Sequence, residues 1–307
     1  MCGRIALHEP TARLAQLFHA VEGDDVASTW EASYNVAPST SIPAVVESHR
    51  TRERRLVLLR WGLVPSFAKD PAVGSRMINA RAETVATKPA FRTALRRHRA
   101  IVPADGFYEW QAAAGRGPRQ PWYVTRADGA PLALAGLWEV WRDPAAGAEA
   151  PPLRSCTIIT APASADLDAV HDRMPVVLEA AAWDRWLDPS VDNPAAVVDL
   201  LVPSPAGTLR RVRVGRAVSS VANDGPALIE PEPGDGLGET TDVRAQGRVG
   251  RRRAARHLVG TVQLWVAVGG QGVWARRWPL PAYSPRPGAT TEPTGEHGEH
   301  GEDRWPG

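Results

Sequence analysis

Short β-prone runs, each cut off by proline, glycine or aspartate, recur along this chain, and that punctuation restricts it to a fold of short strands. The runs are Ile42 to Val46, Arg55 to Leu63, Ala100 to Val102, Gly106 to Gln111, Trp122 to Thr125, Leu132 to Trp138 and Leu153 to Thr160. Helical spacing of apolar residues marks the intervals. It covers Pro10 to Val21 behind an N-terminal strand, with Leu14, Leu17 and Phe18 on one face, then Phe91 to Arg97, Ala165 to Val170, Glu179 to Leu187 and Pro194 to Val202. Asp188-Pro189 stops the Glu179 helix. The mixture reads as α+β, mainly antiparallel strands with flanking short helices rather than regular βαβ units.

Composition changes near Pro231-Glu232-Pro233-Gly234. Residues 1–233 are expected to form one domain. Residues 234–307 turn to Arg, Gly, Pro and Trp, and are expected to be a low-complexity, poorly ordered tail with one short strand candidate over 262–268. A chain of 307 residues, 43% hydrophobic, can bury a full core. No apolar run is long enough to cross a bilayer and the start lacks a signal-peptide pattern, so a cytoplasmic protein with no membrane partner is expected. The net charge of +2 argues neither for nor against nucleic acid. Arginine clusters from Arg50 to Arg55 and from Arg92 to Arg99 suit phosphate oxygens, but they equally decorate a solvated helix. The two cysteines, Cys2 and Cys156, offer neither metal spacing nor a disulfide framework, so no metal and no cofactor are expected. Cys156 lies in the β-branched run Ser155 to Thr160 and reads as core.

Cys2 is different. In Met1-Cys2-Gly3-Arg4, loss of the initiator methionine, which a small second residue permits, leaves an α-amine and a thiol on adjacent carbons. An α-amine titrates near pH ~8 and a thiol near ~8.5, so both keep a nucleophilic fraction at neutral pH. A small apolar residue at a frayed terminus is the ordinary alternative.

Three further segments have the character of a site. Met77-Ile78-Asn79-Ala80-Arg81-Ala82-Glu83-Thr84 strings an amide, a guanidinium and a carboxylate together after a β-like run. In Pro103 to Trp110, Glu109 lies between two aromatics that would desolvate it and raise its pKa, as general acid/base work requires. His171-Asp172-Arg173-Met174-Pro175 puts a histidine at a helix end ahead of a strand, a position suited to a proton donor. Each also has a structural explanation: an Asx turn for Asn79, an outward strand position for Glu109, a helix cap for His171. Asp172 and Glu83 are both placed to tune a neighbour's charge, and the sequence does not choose between them.

Together, Met1-Cys2-Gly3-Arg4, Tyr34-Asn35-Val36-Ala37-Pro38, Arg60 to Pro65, Ile78 to Thr84, Ala104 to Trp110 and His171 to Pro175, in that order, resemble the SRAP family, the SOS-response-associated peptidases that shield abasic sites in DNA. Val218 to Ile229, with Asn223 and Asp224, resembles the family's closing segment. The resemblance implies an α+β fold with Cys2 at the end of a groove for single-stranded DNA. It implies that the Cys2 amine forms a Schiff base with the abasic aldehyde and the thiol then closes a thiazolidine, a covalent DNA–protein crosslink, with a lyase-like and cysteine-type autopeptidase activity attached to the same residue. Glu109 would shuttle protons, His171 would favour the open aldehyde and Asn79 would hold the amine. Arg4 and Arg81 would grip phosphates, and Trp61, Asn35 and Pro38 would complete the DNA-binding set. Where relatives carry tryptophans after the Trp-Gly-x-x-Pro segment this chain has Ser66-Phe67-Ala68, so Phe67 is the candidate for base stacking. The implied partners are abasic single-stranded DNA and replication-associated proteins, the location the cytoplasm at the nucleoid, and the state a monomer.

Two other classes compete. An N-terminal-nucleophile amidohydrolase of the glutamine amidotransferase kind also begins Met-Cys-Gly, but its Asn-Gly oxyanion segment and glutamine-binding arginine motif are absent in the expected order. A non-catalytic single-strand binder would leave Cys2 inert.

Overall fold

Alternation along the longest strands decides the layering. In Leu132–Trp141, Ala133, Ala135 and Leu137 enter one core while Leu132 and Leu134 enter another, because successive strand side chains point to opposite faces. The computed structural model describes residues 2–113, 115–147 and 149–233. The expected tail over 234–307 and its strand candidate over 262–268 lie outside the described residues.

In chain order the elements are β1 (Ile5–Leu7), α1 (Thr11–Leu17), β2 (Val21–Glu22), α2 (Asp24–Thr29), β3 (Ser33–Val36), β4 (Ser41–Glu47), β5 (Arg54–Trp61), β6 (Asn79–Arg81), α3 (Pro89–Arg97), β7 (Arg99–Ala104), β8 (Gly106–Gln111), β9 (Gln120–Arg126), β10 (Leu132–Trp141), β11 (Leu153–Pro162), β12 (Arg173–Pro175), α4 (Ala180–Leu187) and β13 (Leu209–Arg213). A five-stranded sheet runs β13-β9-β8-β1-β3. An eight-stranded sheet runs β12-β11-β10-β7-β4-β5-β2, with β6 added on β11. Pairing is mainly antiparallel. The exceptions are β2 on β5, β6 on β11 and β5 on β11, all parallel. The last of these, Ser155 with Arg60 and Cys156 with Trp61, joins β11, β10, β7, β4 and β5 into a closed ring.

One face of this ring is covered by helices, where Leu14 and Phe18, Phe91 and Leu95, and Trp186 and Leu187 pack against Val45, Leu56, Ile101 and Ile159. The other side holds Ala44, Val102, Leu134 and Cys156 together with Cys2, Ile5, Phe107 and Val124 from the smaller sheet. Cys156 is fully buried, as expected. The outer face of the smaller sheet forms a third cluster, with Tyr108 and Tyr123 against Val214, Val218 and Leu228. Gly106 makes that packing possible, since a Cβ there would lie 2.4 Å from the Tyr123 ring. Gly62, at φ +130°, abuts Gly74 so closely that a Cβ would lie 2.7 Å from the Gly74 carbonyl oxygen. That contact turns the chain out of β5 and sets up the approach to β6.

Within the described residues all the strands read from the sequence are present, but two helices are not. Ala165 to Val170 forms turns, because Asp166 spends its carboxylate on the Gly207 and Leu209 N–H groups and its carbonyl on Arg211, which leaves too short a run to propagate a helix. Pro194 to Val202 divides into 3-10 turns at Pro194–Ala196 and Val198–Leu200, broken at Val197 with φ −134°. Helix α1 stops short of Val21, which is drawn into β2 opposite Arg55. Among the described residues no helix is long and apolar enough to cross a membrane.

Candidate active site

The start of the chain is aimed by its strand pairing. Ile5 pairs with Phe107 and Ala6 with Gly106, and the Tyr108 N–H donates to the Arg4 carbonyl at 3.0 Å. The same antiparallel register, carried back toward the terminus, brings the first residues alongside Glu109. Cys2 is fully buried in the cluster between the sheets. Its carbonyl accepts from Asn79 Nδ2 at 2.7 Å, and Asn79 is held in turn because β6 lies parallel to β11, with Asn79 level with Ile158. The Asn79 Oδ1 is buried and has no hydrogen-bond partner among the described residues. An amide locked by one end on Cys2 and unspent at the other is a ready acceptor beside the reacting residue.

Burial pushes the Cys2 thiol well above the usual thiol range, and the Glu109 charge pushes it further in the same direction; the amino-terminal charge and then a hydrogen bond from the Arg4 backbone N–H oppose this only in part. Glu109 is 3% exposed. Burial raises its pKa above the ordinary carboxylate value, while the charges of the amino terminus and of His171 pull the other way. The sequence ascribed this desolvation to the flanking aromatics, and that assignment is corrected. Tyr108 and Trp110 point to the opposite face, where they pack with Tyr123. Glu109 instead shares its face with Phe107 and with its cross-strand partner Trp122.

His171 follows the turns at 165–170 and precedes β12. Its Nδ1 accepts the Arg173 backbone N–H at 3.0 Å and lies 2.8 Å from Asp172 Oδ1. In the neutral ring this leaves the proton on Nε2; in the imidazolium Nδ1–H turns to Asp172. Asp172 is therefore the carboxylate beside His171. Glu83 belongs to Arg173, which it grips with both oxygens at 2.5 and 3.1 Å. The four expected catalytic residues thus come from the chain start, β6, β8 and the loop before β12. Among the described residues no group of three or more His, Cys, Asp or Glu side chains could hold a metal ion. A cavity of about 680 Å3 opens elsewhere, between α3 and the 192–194 segment, with Arg92, Arg96 and Asp192 in its lining.

The expected DNA contacts divide. Phe67 is 68% exposed and Arg81 is exposed, so both are available to a ligand; Pro38 is half-buried. Trp61 is fully buried, with its indole N–H donated to the Ile78 carbonyl at 3.0 Å, because the β5–β11 pairing closes over it. It presents no ring face to a base, and the expectation that it contacts DNA is corrected. Asn35 is corrected likewise: it is 5% exposed, its Nδ2 donates to the Ser220 and Asn223 carbonyls at 2.9 and 2.6 Å, and its Oδ1 accepts from Arg4. Arg4 Nη1 spans Asn35 Oδ1 at 2.6 Å and the Val218 carbonyl at 2.8 Å, and the guanidinium lies 5.7 Å from the Trp110 ring centroid. The segment from Val218 to Ile229 is marked in the sequence, but that its backbone carbonyls are what Arg4 and Asn35 bind is visible only in the fold.

Residues 1–221 match the family model of the SOS response associated peptidases (SRAP). The chain is 38% identical over 230 residues to the abasic site processing protein YoqW of Bacillus subtilis, covering 75% of this chain and 99% of YoqW. It is 32% identical over 234 residues to the abasic site processing protein YedK of Escherichia coli, covering 75% of this chain and 100% of YedK. A crystal structure of a Bacteroides thetaiotaomicron protein has the same fold, with a TM-score of 0.66 at 22% identity over 75% of this chain and 100% of that one. The family match spans β1 through the segment that holds Arg4 and includes Cys2, Asn79, Glu109 and His171, so this chain belongs to the SOS response associated peptidase (SRAP) family.

Proposed function

We propose that this protein captures abasic sites in single-stranded DNA by a covalent bond through Cys2. The observation that carries the reading is the convergence on the first residues of a buried carboxyl with a raised pKa and an amide fixed on the Cys2 carbonyl with its oxygen unspent. The naming of YoqW and YedK as abasic site processing proteins supports it.

The burial of the thiol implies an order of steps. A thiol held protonated is a poor first nucleophile, so the α-amine released by loss of Met1 attacks the aldehyde carbon of the open deoxyribose. The carbonyl electron pair moves to oxygen, which takes the Glu109 proton, and Glu109 then removes a proton from the nitrogen. Loss of the new hydroxyl as water, protonated again by Glu109, leaves a C=N bond. The nitrogen of that iminium keeps one hydrogen; the thiol sulfur adds to the carbon, the C=N electron pair returns to nitrogen and the thiol proton returns to Glu109, closing a thiazolidine with one water lost overall. Asn79 Oδ1 orients the amine by accepting one of its hydrogens. His171, with Nδ1 occupied by the Arg173 N–H, offers Nε2–H to the sugar ring oxygen and favours the open aldehyde. Arg81 and Phe67 meet a phosphate and a base beside the lesion. An amidohydrolase needs an activated thiolate, and burial of Cys2 opposes one.

The test uses protein whose loss of Met1 is checked by intact mass. It is mixed with an oligonucleotide bearing a uracil converted to an abasic site by uracil glycosylase, beside a Cys2→Ala control. A band that survives denaturation and depends on Cys2 is expected. Its absence from correctly processed wild-type protein would overturn the reading.

A further inference from the structure

The residues expected to grip DNA at the chain start instead bind the chain's own closing segment. Arg4 stands two residues from Cys2, and its Nη1 is held between Asn35 Oδ1 and the Val218 carbonyl at 2.6 and 2.8 Å. Asn35 spends both amide hydrogens on the Ser220 and Asn223 carbonyls. The flanking contacts tie the same pieces. Tyr34 N–H donates to Asp224 Oδ1 at 2.7 Å, Tyr108 Oη donates to the Tyr34 carbonyl at 2.7 Å, and Trp110 Nε1 donates to Ser219 Oγ at 3.0 Å. Asn223 closes its own turn by donating Nδ2 to the Ala217 carbonyl at 2.8 Å. Val218 and Leu228 anchor the segment against Tyr108 and Tyr123. The strand β1 is only three residues long, and strands that short fray unless tied down. Beyond the pairing of β1 with β3 and β8, the beginning of this chain is tied by the end of its domain.

We infer that Arg4 and Asn35 are positioning residues, which clasp residues 218–224 over the chain start and thereby fix the Cys2 amine and thiol against Glu109 and Asn79. This rests on the proposed role of Cys2, and it changes what Arg4 does in that role: its Nη1 is spent on holding the nucleophile in register rather than on a phosphate. A segment remote in sequence is then required for the chemistry without touching DNA. Attack on a carbonyl is sensitive to displacement of the nucleophile by as little as an ångström, so loss of the clasp shows in the rate of bond formation rather than in affinity.

The experiment is single-turnover crosslinking to the abasic oligonucleotide over a range of DNA concentrations, with Asn35→Ala and Arg4→Lys, alone and combined. Lysine keeps the charge but lacks the planar guanidinium that lies by the Trp110 ring and sets one nitrogen between both acceptors. The limiting rate is expected to fall about 10- to 100-fold in each single variant, with the half-saturating DNA concentration unchanged and the double variant no slower than the worse single one. A rise in half-saturation at unchanged limiting rate would mean that these side chains contact DNA and would overturn the inference, as would no change in either quantity. A second readout does not depend on the crosslink. Alkylation of the Cys2 thiol, followed by peptide mass spectrometry that resolves it from Cys156, should speed up in Asn35→Ala and Arg4→Lys. If wild-type protein forms no adduct, the proposed function fails while this readout still decides the clasp, and unchanged alkylation overturns it. Should Asn35→Ala not fold, Arg4→Lys carries both measurements.

Discussion

Two of the buried polar centres among the described residues are treated in opposite ways. Arg99, at the head of β7, is 3% exposed, and its guanidinium donates to the Leu95, Arg96, Trp186 and Asp188 carbonyls at 2.5 to 2.8 Å. It gathers the C-terminal carbonyls of α3 and α4, where helix dipoles favour a cation. Glu109 is equally buried, yet its surroundings raise its pKa, and beside it stand a thiol also pushed upward and the Asn79 amide oxygen, which has no hydrogen-bond partner among the described residues. Burial with complementary partners stabilises a fold. Burial that disfavours the charged form leaves proton affinity and hydrogen-bonding capacity for a substrate to use.

The sharpest way to break this contrast is Glu109→Gln, which keeps the shape and removes the titrating proton. Crosslinking should slow by about 10²–10⁴-fold, the range for loss of a general acid or base, measured in single turnover against wild type. Stability should move the other way. Because the folded pKa of Glu109 is raised, the folded state binds more protons than the unfolded chain once pH exceeds the ordinary carboxylate value. Its contribution is therefore present at low pH and lost as pH rises through the folded pKa. Urea midpoints of Glu109→Gln should thus gain on wild type between about pH 4 and neutrality. A constant difference across that range would show that Glu109 is not held in a protonating environment.

Arg99→Met tests the other centre. Removing the guanidinium leaves four carbonyls without their donor, and a loss of about 3 kcal/mol of unfolding free energy is expected, read as a drop in urea midpoint. The limiting crosslinking rate of the folded fraction should hold. A variant that kept its stability and lost its rate would reverse the assignment of the two centres.

The candidate site was marked more completely in the sequence than the fold around it. Cys2, Asn79, Glu109 and His171 could be named because each stands in a short segment whose residue types ordinary packing does not require. The strands were legible from alternation, and the helix at Glu179 from its spacing and its Asp188-Pro189 stop. Closure of the ring through β5 and β11 was not legible, since it rests on a parallel pairing of residues about a hundred apart, for which local pattern carries no signal. The same holds for Trp61 and Asn35. A motif marks them as special, but only tertiary pairing decides that one faces the core and the other faces the carbonyls of Ser220 and Asn223. The burial of Glu109 was legible but its cause was not, since strand alternation turns the flanking aromatics away from it.

The smallest expected effect concerns apolar surface, where the same distinction between spent and unspent groups recurs. Trp61 and Phe67 flank the turn that Gly62 and Gly74 create; one is fully buried with its indole N–H bonded, the other is 68% exposed. Ala68, next to Phe67, accepts the Trp141 indole N–H at 2.7 Å, so the loop backbone is held while the phenyl ring projects from it. A fixed backbone carrying an exposed aromatic costs little to order on binding and offers a face on which a base can stack. Phe67→Ala should therefore weaken equilibrium binding to an undamaged single-stranded oligonucleotide by roughly 1–2 kcal/mol, measured by fluorescence anisotropy, with the thermal midpoint unchanged. Trp61→Phe should lower the thermal midpoint through lost packing and the lost Ile78 bond, and leave the oligonucleotide affinity as it was. If the Trp61 variant instead binds more weakly at full stability, the turn delivers the wrong ring to DNA, and exposure in the free protein would be a poor guide to which aromatic meets the bases.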